Sequence, residues 1–183
     1  MDELAHRNVE TPPRRFPAYQ KFKETINTNI EPHEASKEML ANLTLRIVQQ
    51  EGPIHEMEVA RRIADCFGKK RTGGRITDSV SRALRHAKRS NQAELSTDGK
   101  FWFTTKQAQS PPIRDRSSET GTLLKPEFIA PIEIEAVLEV VLQDSGGAAD
   151  EDIVRATINM IGFKRSGPEL TSRFTKILHS KTG

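Results

Sequence analysis

One phrase of eighteen residues occurs twice in this chain, as "FGKKRTGGRITDSVSRAL" from Phe67 to Leu84 and as "IGFKRSGPELTSRFTKIL" from Ile161 to Leu178. Pairing Gly68 with Gly162 sets an offset of 94, which aligns Leu43–Ala87 with Val137–Lys181 without a gap. The other identical pairs are Gln49/Gln143, Gly52/Gly146, Arg61/Arg155, Lys70/Lys164, Arg71/Arg165, Gly73/Gly167, Thr77/Thr171 and Leu84/Leu178. Apolar positions agree as well: Ile47/Val141, Val48/Leu142, Val59/Ile153, Ile76/Leu170 and Val80/Phe174. Agreement at helix, cap and core positions together predicts two copies of one three-helix unit.

Each copy is legible by its apolar spacing. In the first, Leu40, Leu43, Ile47 and Val48 share one face of a helix over 35–51, because residues three and four apart stack on the same side. "EGP" ends it, with Gly52 suited to a left-handed cap and Pro53 unable to continue the hydrogen bonding. A second helix over 56–67 buries Val59, Ile63, Cys66 and Phe67. Ile54 precedes it as a hydrophobic staple onto Val59, Glu58 sits in the first turn, and Gly68 is the stop.

The third helix carries two opposed faces. At about 100° per residue from Ile76, the residues Val80, Ala83, Leu84 and Ala87 all lie within about 80° and form the core side. Arg85, Arg89, Arg82 and Arg75 fall at about 180°, 220°, 240° and 260°, interrupted only by Asp78 at about 200°. "AELSTDGKFWF" follows, and its Asp98-Gly99 pair predicts a two-residue hairpin turn flanked by Leu95 and by Phe101, Trp102 and Phe103. Three helices and then a hairpin is the order of a winged helix-turn-helix, whose third helix can enter the major groove, about 12 Å wide. The expected architecture is therefore mainly α. A winged helix-turn-helix over 34–106 follows an N-terminal arm over 1–33, and a linker over 107–130 leads to a second, wingless three-helix unit over 131–183.

Charge supports this placement. From Arg61 to Arg89 there are ten Lys or Arg against Asp65 and Asp78, a local balance of +8 in a chain whose net charge is +3, so the remainder is acidic. An arginine stripe alone reads as a solvated face. Joined to the hairpin and to this concentration of charge, it reads as a polyanion footprint. The expected nucleic-acid contacts are Arg75, Arg82, Arg85 and Arg89 on the third helix, Lys69, Lys70 and Arg71 in the turn before it, and Lys100 on the hairpin.

Several classes are excluded or disfavoured. No apolar run approaches the roughly 18 residues that cross a bilayer, and the mean hydropathy of -0.59 suits a protein with a large solvated surface. The first residues, "MDELAHRNVETPPRRFP", hold no signal-peptide stretch, so a cytoplasmic location is expected. One cysteine, Cys66, makes neither a disulfide framework nor a multi-cysteine zinc site, and reads as a small core residue. The histidines (His6, His33, His55, His86 and His179) share no metal-ligand spacing, and His86 alone neighbours the arginine stripe. Trp102 reads as a packing residue.

"IVQQEGPIHEMEVARRIADCFGKKRTGGRITDSVSRALRHA", then "GKFWF", "PPIRDRSS", "IAPIEIEAVLEVVL" and "MIGFKRSGPELTSRFTKIL", resembles the C-terminal domain of unknown function on very long bacterial superfamily I helicase-related proteins. Those proteins also carry a restriction-endonuclease-like domain, and the resemblance spans about Tyr19 to Gly183. It implies an accessory module of a DNA-processing enzyme, with the helicase or nuclease domains of the same system as partners. Helicase activity does not transfer, because "GKKRTGG" and "GFKRSG" lack the spacing and the Lys-Ser/Thr of a phosphate-cradling loop. "DRSSE" falls in the expected linker. Asp150, Glu151 and Asp152 fall at a helix start, where carboxylates favour the dipole over a metal. The sequence thus predicts a nonenzymatic chain without cofactor or metal that binds duplex or forked DNA. The competing expectation is a protein-interaction module whose basic face meets an acidic partner.

Overall fold

The computed structural model describes residues 16–90 and 94–182. The first fifteen residues of the expected arm, His6 among them, lie outside the described residues. With 60% of it helical, the chain is mainly α, and the described residues form seven α-helices and one three-stranded antiparallel sheet.

Helix α1 (Lys37–Glu51) starts where the Ser36 side chain accepts a hydrogen bond from the Met39 amide, 3.1 Å away. Leu40, Leu43, Ile47 and Val48 are buried along it, as their spacing requires. The helix ends differently from the expectation. Gly52 is extended (φ −64°, ψ 148°), not left-handed, and the Gly52-Pro53 bond is cis. Glycine is needed there for space, since a Cβ would overlap Gln107 Oε1 and sit 2.6 Å from the Val48 carbonyl. The carbonyls of the last turn also receive donors from far along the chain. Gln107 Nε2 donates to Val48 O (3.0 Å) and Gln49 O (3.1 Å), and Arg114 donates to Glu51 O (2.6 Å).

Strand β1 (Ile54–His55) comes next, so Ile54 enters a sheet in addition to preceding α2 (Glu56–Cys66). The His55 ring caps α2 by accepting from the Met57 amide (3.1 Å). Val59, Ile63 and Cys66 are buried, and burial pushes the Cys66 thiol pKa up. Gly68, at φ 68°, turns the chain toward α3 (Gly74–Arg89). Strands β2 (Leu95–Asp98) and β3 (Phe101–Thr104) then form the hairpin, and the sheet order is β1-β3-β2. Ile54 faces Trp102 across it, and Asp98 pairs with Phe101. The turn residues are therefore Gly99 and Lys100, one position later than expected. Only Gly99 has positive φ (57°), the pattern of a type II′ turn, which needs glycine at its first central position.

Helix α4 (Thr105–Gln109) begins in a reciprocal cap between Thr104 and Gln107. The segment beyond it, with 3₁₀ turns at Gly121–Leu124 and Pro126–Phe128, buries Arg114, Arg116, Leu123 and Ile129. Three further helices follow: α5 (Pro131–Ser145), α6 (Asp150–Ile161) and α7 (Pro168–Thr182). They begin 94 residues after α1, α2 and α3 (131 against 37, 150 against 56, 168 against 74). Each triplet surrounds its own apolar cluster, the first including Trp102 and the second Ile129 and Phe163.

Between the clusters lies a buried charged layer. Arg62 forms a double hydrogen bond with Glu51 (2.8 and 2.9 Å) and a further one with Glu58 (3.1 Å). Tyr19 donates its hydroxyl to Glu51 (2.8 Å), while Arg114 and Arg116 stack on its ring at 4.8 and 4.7 Å. Arg116 donates to Glu133 (2.6 Å) at the start of α5. Burial first, then the Glu51 carboxylate, holds the Tyr19 hydroxyl far above the ordinary phenol range. For Arg62, burial works against the charge but the Glu51 contacts prevail, so its pKa is raised.

Candidate nucleic-acid interface

The α3 face is built by burial of its opposite side. Ile76, Ser79, Val80, Ala83, Leu84 and Ala87 are buried, which leaves Arg75, Arg82, Arg85 and Arg89 exposed. None of these four forms an ion pair with a carboxylate among the described residues. Arg82 donates to Ser79 Oγ (3.0 Å) on its own helix, and Asp78 interrupts the exposed stripe. Guanidiniums so placed retain their donors for an incoming acceptor. His86 is half-buried at the edge of this face.

Not every cation of the basic segment is available. Arg62 belongs to the buried layer, Arg61 is held by Glu58 and Thr122 Oγ1 (2.9 Å for the latter), and Lys69 is paired with Glu31. Seven of the ten are exposed: Lys70, Arg71, Arg75, Arg82, Arg85, Lys88 and Arg89. The commitment of Arg61 and Arg62 to the fold was not readable from their types, since their carboxylate partners Glu51 and Glu58 are as polar in sequence as any surface pair.

Lys100 is exposed at the hairpin turn, and its backbone carbonyl accepts from the Glu56 amide (2.8 Å), tying the turn to the start of α2. Trp102 is buried in the first apolar cluster, and its indole N–H donates to Glu56 (3.1 Å). His55 is edge-on to Phe101 (5.3 Å) and tilted against Phe128 (4.6 Å). Burial, and next the Lys100 charge, lower its pKa, which suits a ring that must accept the Met57 amide in its neutral form.

The eight expected contact residues thus occupy three places. Arg75, Arg82, Arg85 and Arg89 share the α3 face, Lys100 stands on the hairpin turn, and Lys69, Lys70 and Arg71 border a cleft of about 600 Å³ beside the α2–α3 turn. Thr120–Leu123 also line that cleft, a part of its wall that no spacing in the sequence announced.

In the second helical unit, the positions 94 residues after Arg75, Asp78, Arg82 and Arg85 carry Glu169, Ser172, Lys176 and His179. His179 Nε2 lies 2.9 Å from Asp150, and Asp152 pairs with Arg155, so two of the carboxylates at the start of α6 have local partners. No group of three His, Cys, Asp or Glu among the described residues could hold a metal ion.

No helix among the described residues is long and apolar enough to cross a membrane. No curated protein and no solved structure matches the chain. A family described as a protein of unknown function (DUF3320) matches residues 31–78, the stretch that holds α1, β1, α2 and the first turn of α3.

Proposed function

We propose that this chain is a noncatalytic DNA-binding module, a winged helix-turn-helix that lays α3 in the major groove and sets the Gly99-Lys100 turn on the backbone. The observation that carries it is the exposed face of Arg75, Arg82, Arg85 and Arg89, paired with no described carboxylate. The order α1-β1-α2-α3-β2-β3, with β1 joined to β3, supports the winged reading. The matching starts of the two helix triplets support a duplicated unit whose second copy lacks the wing. Resemblance to the C-terminal domain of helicase-related proteins supports placing the module in a bacterial helicase or nuclease system in the cytoplasm.

A salt titration tests this. Neutralising four to five phosphates gives a slope of about −4 in log binding constant against log salt. The double reversal Arg82→Glu/Arg85→Glu is expected to abolish duplex binding while leaving the thermal midpoint nearly unchanged, because both side chains are exposed. Unchanged affinity in that variant would sink the reading. Capture of an acidic protein with no affinity for duplex, forked or single-stranded DNA at low salt would replace it with a protein-docking role.

A further inference from the structure

The cleft beside the α2–α3 turn has a charge pattern that the α3 face does not use. Its volume of about 600 Å³ lies in the range of small-ligand sites. A sphere of that volume is only roughly 10 Å across, so a duplex, which is wider than its own ~12 Å major groove, cannot enter it but a single nucleotide can. Its cations do not act alike. Arg62 and Arg61 are committed to Glu58, and Lys21 is paired with Glu119 (2.8 Å). Lys70 and Arg71 are exposed on the rim and form no ion pair with a described carboxylate.

The lining carboxylates differ in the same way. Both oxygens of Glu58 are spoken for, one by Arg61 and Thr122 (2.6 Å from Thr122 Oγ1) and the other by Arg62 (3.1 Å). Although burial alone would raise its pKa, the Thr122 hydrogen bond and the two arginines hold it below the usual carboxylate value. Its charge is balanced inside the fold and does little to repel an anion. Asp65 remains exposed at the edge. Two uncommitted cations beside hydroxyls of Thr72 and Thr120 suit a doubly charged oxyanion.

We propose that this cleft binds a phosphate monoester, the terminal phosphate of a DNA strand whose duplex lies on α3. The strand-end part of this proposal rests on the DNA-binding reading above; the monoester site stands on the cleft itself. Lys70 and Arg71 clamp the phosphate, and their position a few residues before Gly74 sets the strand end next to the start of α3. An internal phosphodiester carries one charge, whereas a monoester carries close to two at neutral pH, and that difference is what the two cations select.

The test uses the full chain with five probes: duplexes ending in a 5′-phosphate, a 3′-phosphate or hydroxyls only, and thymidine monophosphate against thymidine. One phosphorylated end is expected to bind about tenfold tighter than the hydroxyl duplex. Thymidine monophosphate, but not thymidine, is expected to shift the Thr72 and Gly121 amide resonances. Lys70→Ala/Arg71→Ala should erase both effects and keep weaker duplex binding. Arg82→Glu/Arg85→Glu should lose the duplex and keep the mononucleotide shifts. Equal affinity for all three duplexes, with no monophosphate-specific shift, overturns the inference and leaves the duplex reading standing. Monophosphate shifts in a chain that binds no duplex overturn the duplex reading and assign the cleft to a free mononucleotide phosphate.

Discussion

Two glycines 94 residues apart do unequal jobs. Gly68 and Gly162 both follow a helix in left-handed conformation, φ 68° and 109°. A Cβ on Gly68 would meet nothing within 4 Å, whereas on Gly162 it would overlap the Ser117 amide and lie 2.9 Å from the Arg116 carbonyl carbon. Arg116 donates its own amide to Ile161 O (2.7 Å), so the backbone of the connecting segment runs directly over the end of α6. Gly68→Ala should cost about 1 kcal/mol, the penalty for a left-handed alanine. Gly162→Ala should cost at least about 3 kcal/mol, because strain and backbone overlap add. Urea denaturation of the two variants measures the difference directly, and equal losses would mean that the segment yields.

At the level of elements, α2 depends on a titratable cap. His55 Nδ1 accepts the Met57 amide only when unprotonated there, and burial, then Lys100, lower the ring's pKa below 6.5. A group whose folded value is depressed contributes stability above its unfolded value and loses it as pH falls toward the folded one. The chain should therefore lose stability as pH drops below about 6.5, the ordinary histidine value. In His55→Asn, which caps without titrating, thermal midpoints between pH 7.5 and 5.5 should fall less than in the parent chain. A parallel decline in both would remove His55 as the cause.

The helices were legible because burial writes a 3.6-residue period into the sequence, and Leu40 to Val48 or Ile76 to Ala87 obey it. Two-residue β1 has no period to show, so its pairing with Trp102 could not be foreseen. The hairpin was visible in Asp98-Gly99-Lys100, but its register was settled by which residue takes the positive φ. Gly52 misled for a related reason, since a glycine after a helix serves equally to free φ or to clear space, and only Gln107 shows which. The α3 stripe was readable from the wheel. The cleft was not, since Thr120–Leu123 reaches it from about fifty residues further along.

For the molecule as a whole, the charged layer decides how the two apolar clusters are joined. Arg116 and Glu133 are buried at 1% and 0% exposure, so each needs the other's charge. Arg116→Met should destabilise by about 3 kcal/mol, because Glu133 is left charged in a dry site with Arg114 3.8 Å away. The double variant Arg116→Met/Glu133→Leu should recover most of that loss, since apolar residues of similar volume replace a buried pair at little cost. A double-mutant cycle by chemical denaturation reads the coupling, and additive losses would show that the pair does not act as one unit.

The chain contains one tyrosine and one tryptophan, and the fold has placed them in different compartments. Tyr19 lies in the charged layer between two guanidiniums, and Trp102 lies in the first apolar cluster. Each is thus a built-in optical reporter of a different structural event. Tyrosine absorbance follows the separation of the two halves, and tryptophan emission follows the melting of the first half alone. Coincident transitions would describe a single cooperative body. A tyrosine transition that comes first would describe two bodies released from one another before either unfolds.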